Sequence, residues 1–252
     1  MSVEARNRPL PDWFTRVRTH QTVLPRFQRF EAWSYSDVNQ MFNTVLQDLP
    51  IGSLLILEVA GEEPFVSRPM KGAPEQGERV TEHVLDGQQR LTALWRGLHN
   101  NYEDRTYFIQ FGQEQETGMS YSVTSIARWT KEGENEVRPY WANNPAKQWT
   151  KRLVPLELAA PAIEAQQNCR DWLRKAIDDQ EKRDRVSDQI TEIRQKFASF
   201  NLPFMSLPVT TPKETALDVF IKMNTSAAPL SRYDIVVAQV GASLGVSLCT
   251  SR

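Results

Sequence analysis

The chain has 252 residues, of which 40% are hydrophobic, enough for one large domain or a core with an appended subdomain. Its 30 lysines and arginines nearly balance its 31 aspartates and glutamates, so no overall basic excess indicates nucleic-acid binding, which would need a local patch. Two distant cysteines and the lack of a signal-like or membrane-spanning apolar run argue against a disulfide framework and membrane association, and predict a cytoplasmic protein.

The amino-terminal segment, residues 1–33, has six arginines against three acidic residues, a local charge of +3. Its most distinctive part is the run Pro25-Arg26-Phe27-Gln28-Arg29. Arg29 could contact a phosphate, or it could stack at the surface on Phe30 or Trp33, which is a common fate of an arginine near aromatic rings.

A helix and a strand are predicted next. Ser36 is expected to cap the helix, and Pro50 to end it. The helix has one apolar face, formed by Val38, Met41, Phe42, Val45, Leu46 and Leu49. The apolar run 51–59 predicts a buried strand, and the polar segment 60–82, which contains glycine and proline, predicts a loop.

The central feature of the sequence is a strand, an abrupt turn and a helix within residues 84–98. Val84 and Leu85 end the strand, and Asp86-Gly87 makes the turn. The helix that follows has a buried stripe at helical spacing, formed by Leu91, Leu94, Trp95 and Leu98. The polar residues of the turn are therefore expected at the start of this helix.

The start of a helix attracts anions because its first N–H groups have no partner within the helix and carry partial positive charge. Gly87 would let a ligand approach the backbone, Arg90 could bind phosphate oxygens in a fork, and Asp86 could hold Mg²⁺ or position a water. A structural interpretation is also open, in which Asp86 caps the helix, Gly87 makes the turn and Arg90 is solvated.

Further along, Thr106–Phe111 and Tyr121–Ile126 predict a β-hairpin. Residues 128–152 again have a local charge of +3, with tryptophans interleaved among cations. Such a segment could stack bases and neutralise phosphates, with Arg128, Lys131 and Arg138 as candidate DNA contacts. Alternatively, Trp129, Trp141 and Trp149 could pack onto the core, which we favour because tryptophan is mostly buried.

The remaining sequence predicts helices over 162–200 and an edge strand over 202–209, because Pro203 and Pro208 lack an N–H group. A helix is expected to end near Asn224, and Ser231 with Asp234 is expected to begin another through a capping box. The amide of Asn224 could cap its own helix or reach back to the turn at 86–90.

Four blocks in one order resemble the amino-terminal domain of the GmrSD family of modification-dependent restriction enzymes, which is related to the ParB/sulfiredoxin-like fold. These blocks are Pro25–Arg29 with Trp33, Pro50–Leu54, Asp86–Leu94, and Phe220–Asn224 with Pro229-Leu230-Ser231. The DGQQRLT string is the most specific of them, and the resemblance covers roughly residues 20–240. It implies an α+β fold with a mixed-sheet core and a helical subdomain.

The resemblance implies a module that binds and hydrolyses nucleoside triphosphates, in defence against phage whose DNA is modified. In the family the DGQQR motif is the active element, which implies catalytic roles for Asp86, Gln88, Gln89 and Arg90 and nucleotide contacts from Gly87, Gln28 and Arg29. From the residues themselves we expect Mg²⁺ at Asp86 and a further nucleotide contact from Asn224. The family's full-length members continue into a His-Asn-His nuclease domain, which we expect to be absent here because His20, His83 and His99 lack metal-ligand spacing.

We therefore expect three segments: a ParB-like core over 1–127, a tryptophan-rich and helical subdomain over 128–200, and a return to the core over 201–252. A stand-alone sensor, a module with a separate nuclease partner and a truncated product all stay open, as does self-association. Two alternatives to the nucleotide hydrolase remain. One is a metal-dependent DNA nuclease that uses the same motif, and the other is a non-catalytic subunit that senses DNA or nucleotide.

Overall fold

A computed structural model of the chain describes residues 3–28, 30–115, 118–132, 135–137 and 142–224. At 114, 115, 118, 130–132, 135–137 and 224 it describes the backbone only. Two compact units are present, one formed by residues up to 32, 52–92 and from 201 onward, the other by 33–51 and 93–200. Of the helices in these ranges, none has the length and apolarity needed to cross a membrane.

The elements follow one another along the chain with strands and helices mixed. They are β1 (Glu4–Pro9), α1 (Leu10–Arg18), β2 (Thr22–Pro25), α2 (Tyr35–Leu46), β3 (Leu54–Glu58), β4 (Ser67–Arg68), β5 (Glu82–Asp86), α3 (Gln88–Leu98), β6 (Arg105–Gln115), β7 (Gly118–Ala127), β8 (Thr130–Glu132), β9 (Asn135–Val137), α4 (Pro145–Thr150), β10 (Leu153–Pro155), a 3₁₀ helix (Leu156–Ala159), α5 (Ile163–Ala176), α6 (Gln180–Ser199), β11 (Asn201–Leu207) and α7 (Lys213–Asn224).

The first unit is built on a six-stranded mixed sheet in the order β1-β11-β3-β5-β2-β4. The β11–β3 and β2–β5 pairs are parallel, and the other neighbours are antiparallel. Together with the helices, this sheet confirms the predicted α+β class. Strand β5 lies between β3 and β2 in the interior of the sheet, so the turn that follows it lies at the end of a central strand.

A helix packs on each face of this sheet because successive side chains of a strand point to opposite faces. On one face, Trp13 of α1 contacts Phe204 of β11, with ring centroids 5.2 Å apart. On the other face, Ala216 of α7 joins a buried cluster that includes Leu55 of β3 and Leu85 of β5. Strand β5 is consequently buried on both sides up to Leu85.

The strand predicted over 202–209 is present as β11, but the prediction that it is an edge strand is wrong. Strand β11 lies between β1 and β3, and the edges of the sheet among the described strands are β1 and β4. The sequence of β1, with arginines at alternating positions, did not predict a strand. Pro203 is tolerated because the pairing with β3 begins only at Phe204, so that side of Pro203 has no ladder partner. The predicted loop over 60–82 likewise contains the short strand β4.

The start of β5 is fixed by a buried ion pair. The Glu82 side chain accepts hydrogen bonds from both terminal nitrogens of Arg8, at 2.8 and 2.7 Å, and from the Thr22 hydroxyl at 2.6 Å. Burial would raise the pKa of Glu82, but the Arg8 and Thr22 hydrogen bonds and the charges of Arg8 and Arg16 hold it below its ordinary value of 4.5. This carboxylate therefore ties β5 to β1 and β2.

The second unit contains the antiparallel sheet β10-β6-β7 and helices α2, α4, α5 and α6, with the last part of α3. The predicted hairpin and the predicted helices over 162–200 are confirmed. Helix α2 is confirmed with different ends. Its cap is Ser34, which forms a capping box with Asp37, and it ends at Leu46, so Leu49 lies outside it and is 49% exposed.

We expect the substitution Glu82→Gln to lower the free energy of unfolding by about 3 kcal/mol at pH 7, because it leaves the buried Arg8 without its counter-charge. The wild-type advantage should hold above pH 4.5 and diminish as the pH falls further, because a carboxylate with a lowered pKa loses its stabilising charge on protonation. Urea unfolding at pH 7 and at several lower pH values measures both effects.

The matched control is Glu181→Gln, because the Glu181 side chain is 85% exposed in its pair with Arg185. We expect this variant to unfold like the wild type. Equal destabilisation by the two substitutions would contradict the structural role of the buried pair.

Candidate functional site

The turn between β5 and α3 consists of Gly87 alone, since β5 ends at Asp86 and α3 begins at Gln88. Gly87 has a φ of +84°. A Cβ at this position would overlap the Cδ2 atom of Leu54 and lie 2.9 Å from Nη1 of Arg90. The glycine is thus required both by the left-handed backbone and by the close packing above it.

Asp86 leaves the sheet at an irregularity in strand pairing. The register between β3 and β5 shifts between Leu55 and Ile56, so that Leu55 pairs with Asp86 and Ile56 with Val84. One extra residue of β5, Leu85, is accommodated there, as in a β-bulge, which bends a strand and redirects its side chains. The Asp86 side chain emerges 26% exposed, with its Oδ2 4.0 Å from Nη2 of Arg90.

The guanidinium of Arg90 is held by backbone. Its Nη1 donates to the carbonyl of Ser53 at 2.5 Å. Gly52, whose φ is +88°, lies beneath it, and a Cβ there would be 3.4 Å from the guanidinium carbon. The Arg90 side chain remains 25% exposed, so the geometry fixes a partly accessible positive charge beside the Asp86 carboxylate.

Gln28 is a structural link between the amino-terminal segment and the end of β5. Its Nε2 donates to the carbonyls of Val84 and Leu85, at 2.6 and 2.9 Å, which lie at the register shift. The residue is 4% exposed, and its Oε1 is buried without a hydrogen-bond partner in the part of the chain that is described. Phe27 anchors the same segment by edge-on contacts with Phe65 and Phe220.

The two glutamines of the motif make different contacts. The Gln89 side chain accepts from the backbone N–H of Ala32 at 3.0 Å and donates to the carbonyl of Phe30 at 3.3 Å. It therefore fixes the segment 30–32 against the first turn of α3. The Gln88 Oε1 accepts from Nη2 of Arg68 at 3.3 Å.

Arg68 and Phe30 are members of this site that the sequence did not predict. Arg68 also donates to the carbonyl of Gln28 at 3.4 Å, and its guanidinium carbon is 5.1 Å from the centre of the Phe30 ring. Burial lowers the pKa of Arg68, and the charge of Glu31 opposes this effect. The sequence does not single out Arg68, because this residue lies in the polar segment 60–82, which predicts a loop.

A Ser67–His83–Glu63 group lies nearby but lacks the arrangement of a catalytic triad. Ser67 Oγ and Glu63 Oε2 both contact Nε2 of His83, at 2.8 and 3.1 Å. A triad needs the carboxylate on the other ring nitrogen, where it orients the imidazole. Burial also lowers the pKa of His83, against the effect of Glu63, so the group is best described as structural.

Several predicted site residues lie wholly or partly outside the described residues. Arg29 and Arg138 lie outside the described residues, as do the side chains of Lys131 and Asn224, although α7 ends at Asn224 as expected. Trp141 and the predicted capping box at 231–234 lie outside them as well.

Arg128 belongs to the second unit, where its guanidinium donates to the backbone carbonyls of Arg105 and Asn100, at 2.9 and 2.6 Å. These bonds give it a structural role there, and its contact with DNA stays a prediction. Trp149 is 8% exposed, as expected for a tryptophan packed on the core, whereas Trp129 is 45% exposed.

Comparison with known proteins supports the family resemblance seen in the sequence. The model of the family described as GmrSD restriction endonuclease, N-terminal domain, matches residues 10–241. The chain is also 23% identical over 234 residues to the uncharacterised protein MJ0686 of Methanocaldococcus jannaschii. That alignment covers 87% of this chain but 39% of the relative, so the chain spans well under half of that protein's length. Because the family model covers most of the sequence, the chain belongs to the GmrSD restriction endonuclease N-terminal domain family.

Proposed function

We propose that this chain is a nucleotide-binding and nucleotide-hydrolysing module of a DNA restriction system, with the phosphates bound at the turn between β5 and α3. The observation that carries the proposal is the arrangement around Gly87. A partly exposed carboxylate and a partly exposed guanidinium lie 4.0 Å apart at the first turn of a helix, beside the buried glycine that makes the turn. Family membership supports the restriction context.

Each group at the turn has a chemical use toward a triphosphate. The first N–H groups of a helix favour anionic oxygens, and a guanidinium can neutralise the charge that develops during phosphoryl transfer. Phosphoryl transfer depends mostly on positioning and charge stabilisation, so a rigid turn is suited to it. Arg90 is already fixed by Ser53, which means that little ordering is needed when the ligand binds.

The donor set fits a Mg²⁺ ion that arrives with the nucleotide. In nucleotide sites Mg²⁺ is typically held by one or two carboxylates, completed by phosphate oxygens and water. Asp86 offers one carboxylate, and no cluster of three or more His, Cys, Asp or Glu able to hold a metal occurs among the residues that are described. We assign Asp86 as the protein ligand; when bound, the ion would neutralise phosphate charge.

Hydrolysis would proceed by attack of water on the terminal phosphorus. The bond from that phosphorus to the bridging oxygen breaks, and the products are a nucleoside diphosphate and inorganic phosphate. In this proposal Asp86 also orients the water, Gln88 contacts the phosphates, and Gln89 positions the segment 30–32 through its two backbone hydrogen bonds. The buried amide of Gln28 maintains the end of β5 on which the turn depends.

We further propose DNA, in modified form, as the effector or target of the complete system. The locally basic segments 1–33 and 128–152 are the candidate contact regions, since overall charge is near neutral. The same turn used as a DNA nuclease centre has less support, because a metal nuclease generally needs more ligands than one carboxylate. A ParB/sulfiredoxin-like relationship of the core, a separate nuclease subunit and self-association remain part of the proposal.

We expect Asp86→Asn to lower the rate of phosphate release by about 100-fold, because the amide keeps the size of the side chain but removes the charge that binds metal and orients water. The measurement is phosphate release from each of the four ribonucleoside triphosphates, with Mg²⁺, in the presence and absence of modified DNA.

The matched control is Asp184→Asn, on the exposed face of α6, which should leave the rate unchanged. Equal rates for wild type and Asp86→Asn would remove Asp86 from the mechanism.

Mg²⁺-dependent nicking of plasmid DNA without nucleotide would instead favour the nuclease alternative. Salt-sensitive DNA binding without any turnover would favour the sensing alternative.

We expect Arg90→Lys to weaken nucleotide binding by about tenfold, because an ammonium keeps the charge but cannot form the planar fork that contacts Ser53 and a phosphate together. Isothermal titration with a non-hydrolysable triphosphate measures the affinity, and thermal unfolding measures any loss of stability. Unchanged affinity in a variant that folds normally would contradict the role of Arg90.

A further inference from the structure

The most exposed aromatic ring near the turn is that of Phe30, which is 71% exposed. A phenylalanine ring left in water forgoes the free energy of apolar burial. Many single apolar residues are exposed in folded proteins, and exposure alone would not distinguish this one. Its attachment to the candidate site does.

The position of Phe30 is fixed through the residues of the motif itself. Its backbone carbonyl accepts from the Gln89 amide at 3.3 Å, while Gln89 also accepts from the N–H of Ala32. The ring lies over the guanidinium of Arg68 at 5.1 Å, and Arg68 in turn donates to Gln88 at 3.3 Å. Both glutamines at the start of α3 therefore connect the turn to this ring.

We propose that the Phe30 ring, backed by Arg68, is the platform on which the base of the bound nucleotide stacks. This inference rests on the proposed function, since it takes the phosphates to be at the turn. Arg68 occupies one side of the ring and restrains its orientation, which leaves exposed ring surface available to a flat aromatic ligand. The site then has two parts: a charged part for phosphates and an aromatic part for the base.

The chemistry of the platform predicts its selectivity. Stacking on an aromatic ring depends on the π-face that every base presents, so the ring itself does not distinguish one base from another. We therefore expect all four nucleotides to bind, with purines bound more tightly than pyrimidines because their rings are larger. Arg68 acts as a positioning residue for the ring.

The test compares a triphosphate that has a base with one that lacks it. The probes are 2-aminopurine riboside triphosphate, whose fluorescence falls when it stacks, and inorganic tripolyphosphate, measured by competition. We expect Phe30→Ala to weaken binding of the nucleotide by about tenfold and to abolish the fluorescence change, while its affinity for tripolyphosphate changes less than twofold. Phe30→Trp should restore both nucleotide affinity and quenching.

The control is Tyr35→Ala, because Tyr35 is 53% exposed and also lies over an arginine, Arg105 at 4.0 Å, but belongs to the second unit. It should bind the nucleotide like the wild type. Two results would overturn the platform while leaving the phosphate site intact. In the first, Phe30→Ala binds the nucleotide as tightly as the wild-type protein does. In the second, the wild-type protein binds nucleotide and tripolyphosphate with equal affinity.

Two further outcomes separate the platform from the proposed function. A wild-type protein that binds neither probe would overturn the nucleotide site itself, and the platform with it. A single-stranded oligonucleotide that contains 2-aminopurine serves as the last arm. Quenching with this oligonucleotide but not with the free nucleotide would assign the ring to nucleic acid and overturn the inference.

Discussion

The candidate site depends on one backbone constraint, which is that the chain must turn from β5 into α3 through a single residue with a positive φ. Only glycine satisfies this at position 87, where a side chain would collide with Leu54 and crowd Arg90. The tight turn brings the end of a buried strand and the start of a helix together. The polar groups of both elements, Asp86 from the strand and Arg90 from the helix, consequently meet at one place.

The rest of the first unit keeps that turn rigid. At its start, β5 is held by the buried Glu82 ion pair, and near its end the Gln28 amide satisfies two carbonyls where the strand register shifts. Gln89 then fixes the segment 30–32 on the first turn of α3. A site built in this way is pre-organised, so binding energy is not spent on ordering its parts.

The sequence predicted the elements that depend on a regular apolar pattern. The strand, turn and helix at 84–98 were predicted because two apolar residues end the strand, the glycine marks the turn, and the helix has a buried stripe at helical spacing. Local rules failed where tertiary context decides the outcome. Pro203 signalled a sheet edge, yet β11 lies inside the sheet, because the proline precedes the residues that pair with β3.

The same distinction applies to the site. The motif residues were recognised through the four blocks that resemble the family, whereas Arg68 enters through a two-residue strand whose pairing with β2 depends on the fold of the whole sheet. The contacts of the two glutamines also differ in a way that the sequence could not show. One side chain is committed to the backbone of another segment, and the other faces Arg68.

The most direct test is a titration of the isotopically labelled protein with a non-hydrolysable nucleoside triphosphate and Mg²⁺, followed through the backbone amide resonances. The account predicts that the largest shifts occur at Gly87, Gln88, Gln89 and Arg90 and extend to Phe30. Shifts that leave the turn unaffected, with nucleotide clearly bound elsewhere, would contradict the claim that this turn binds phosphate.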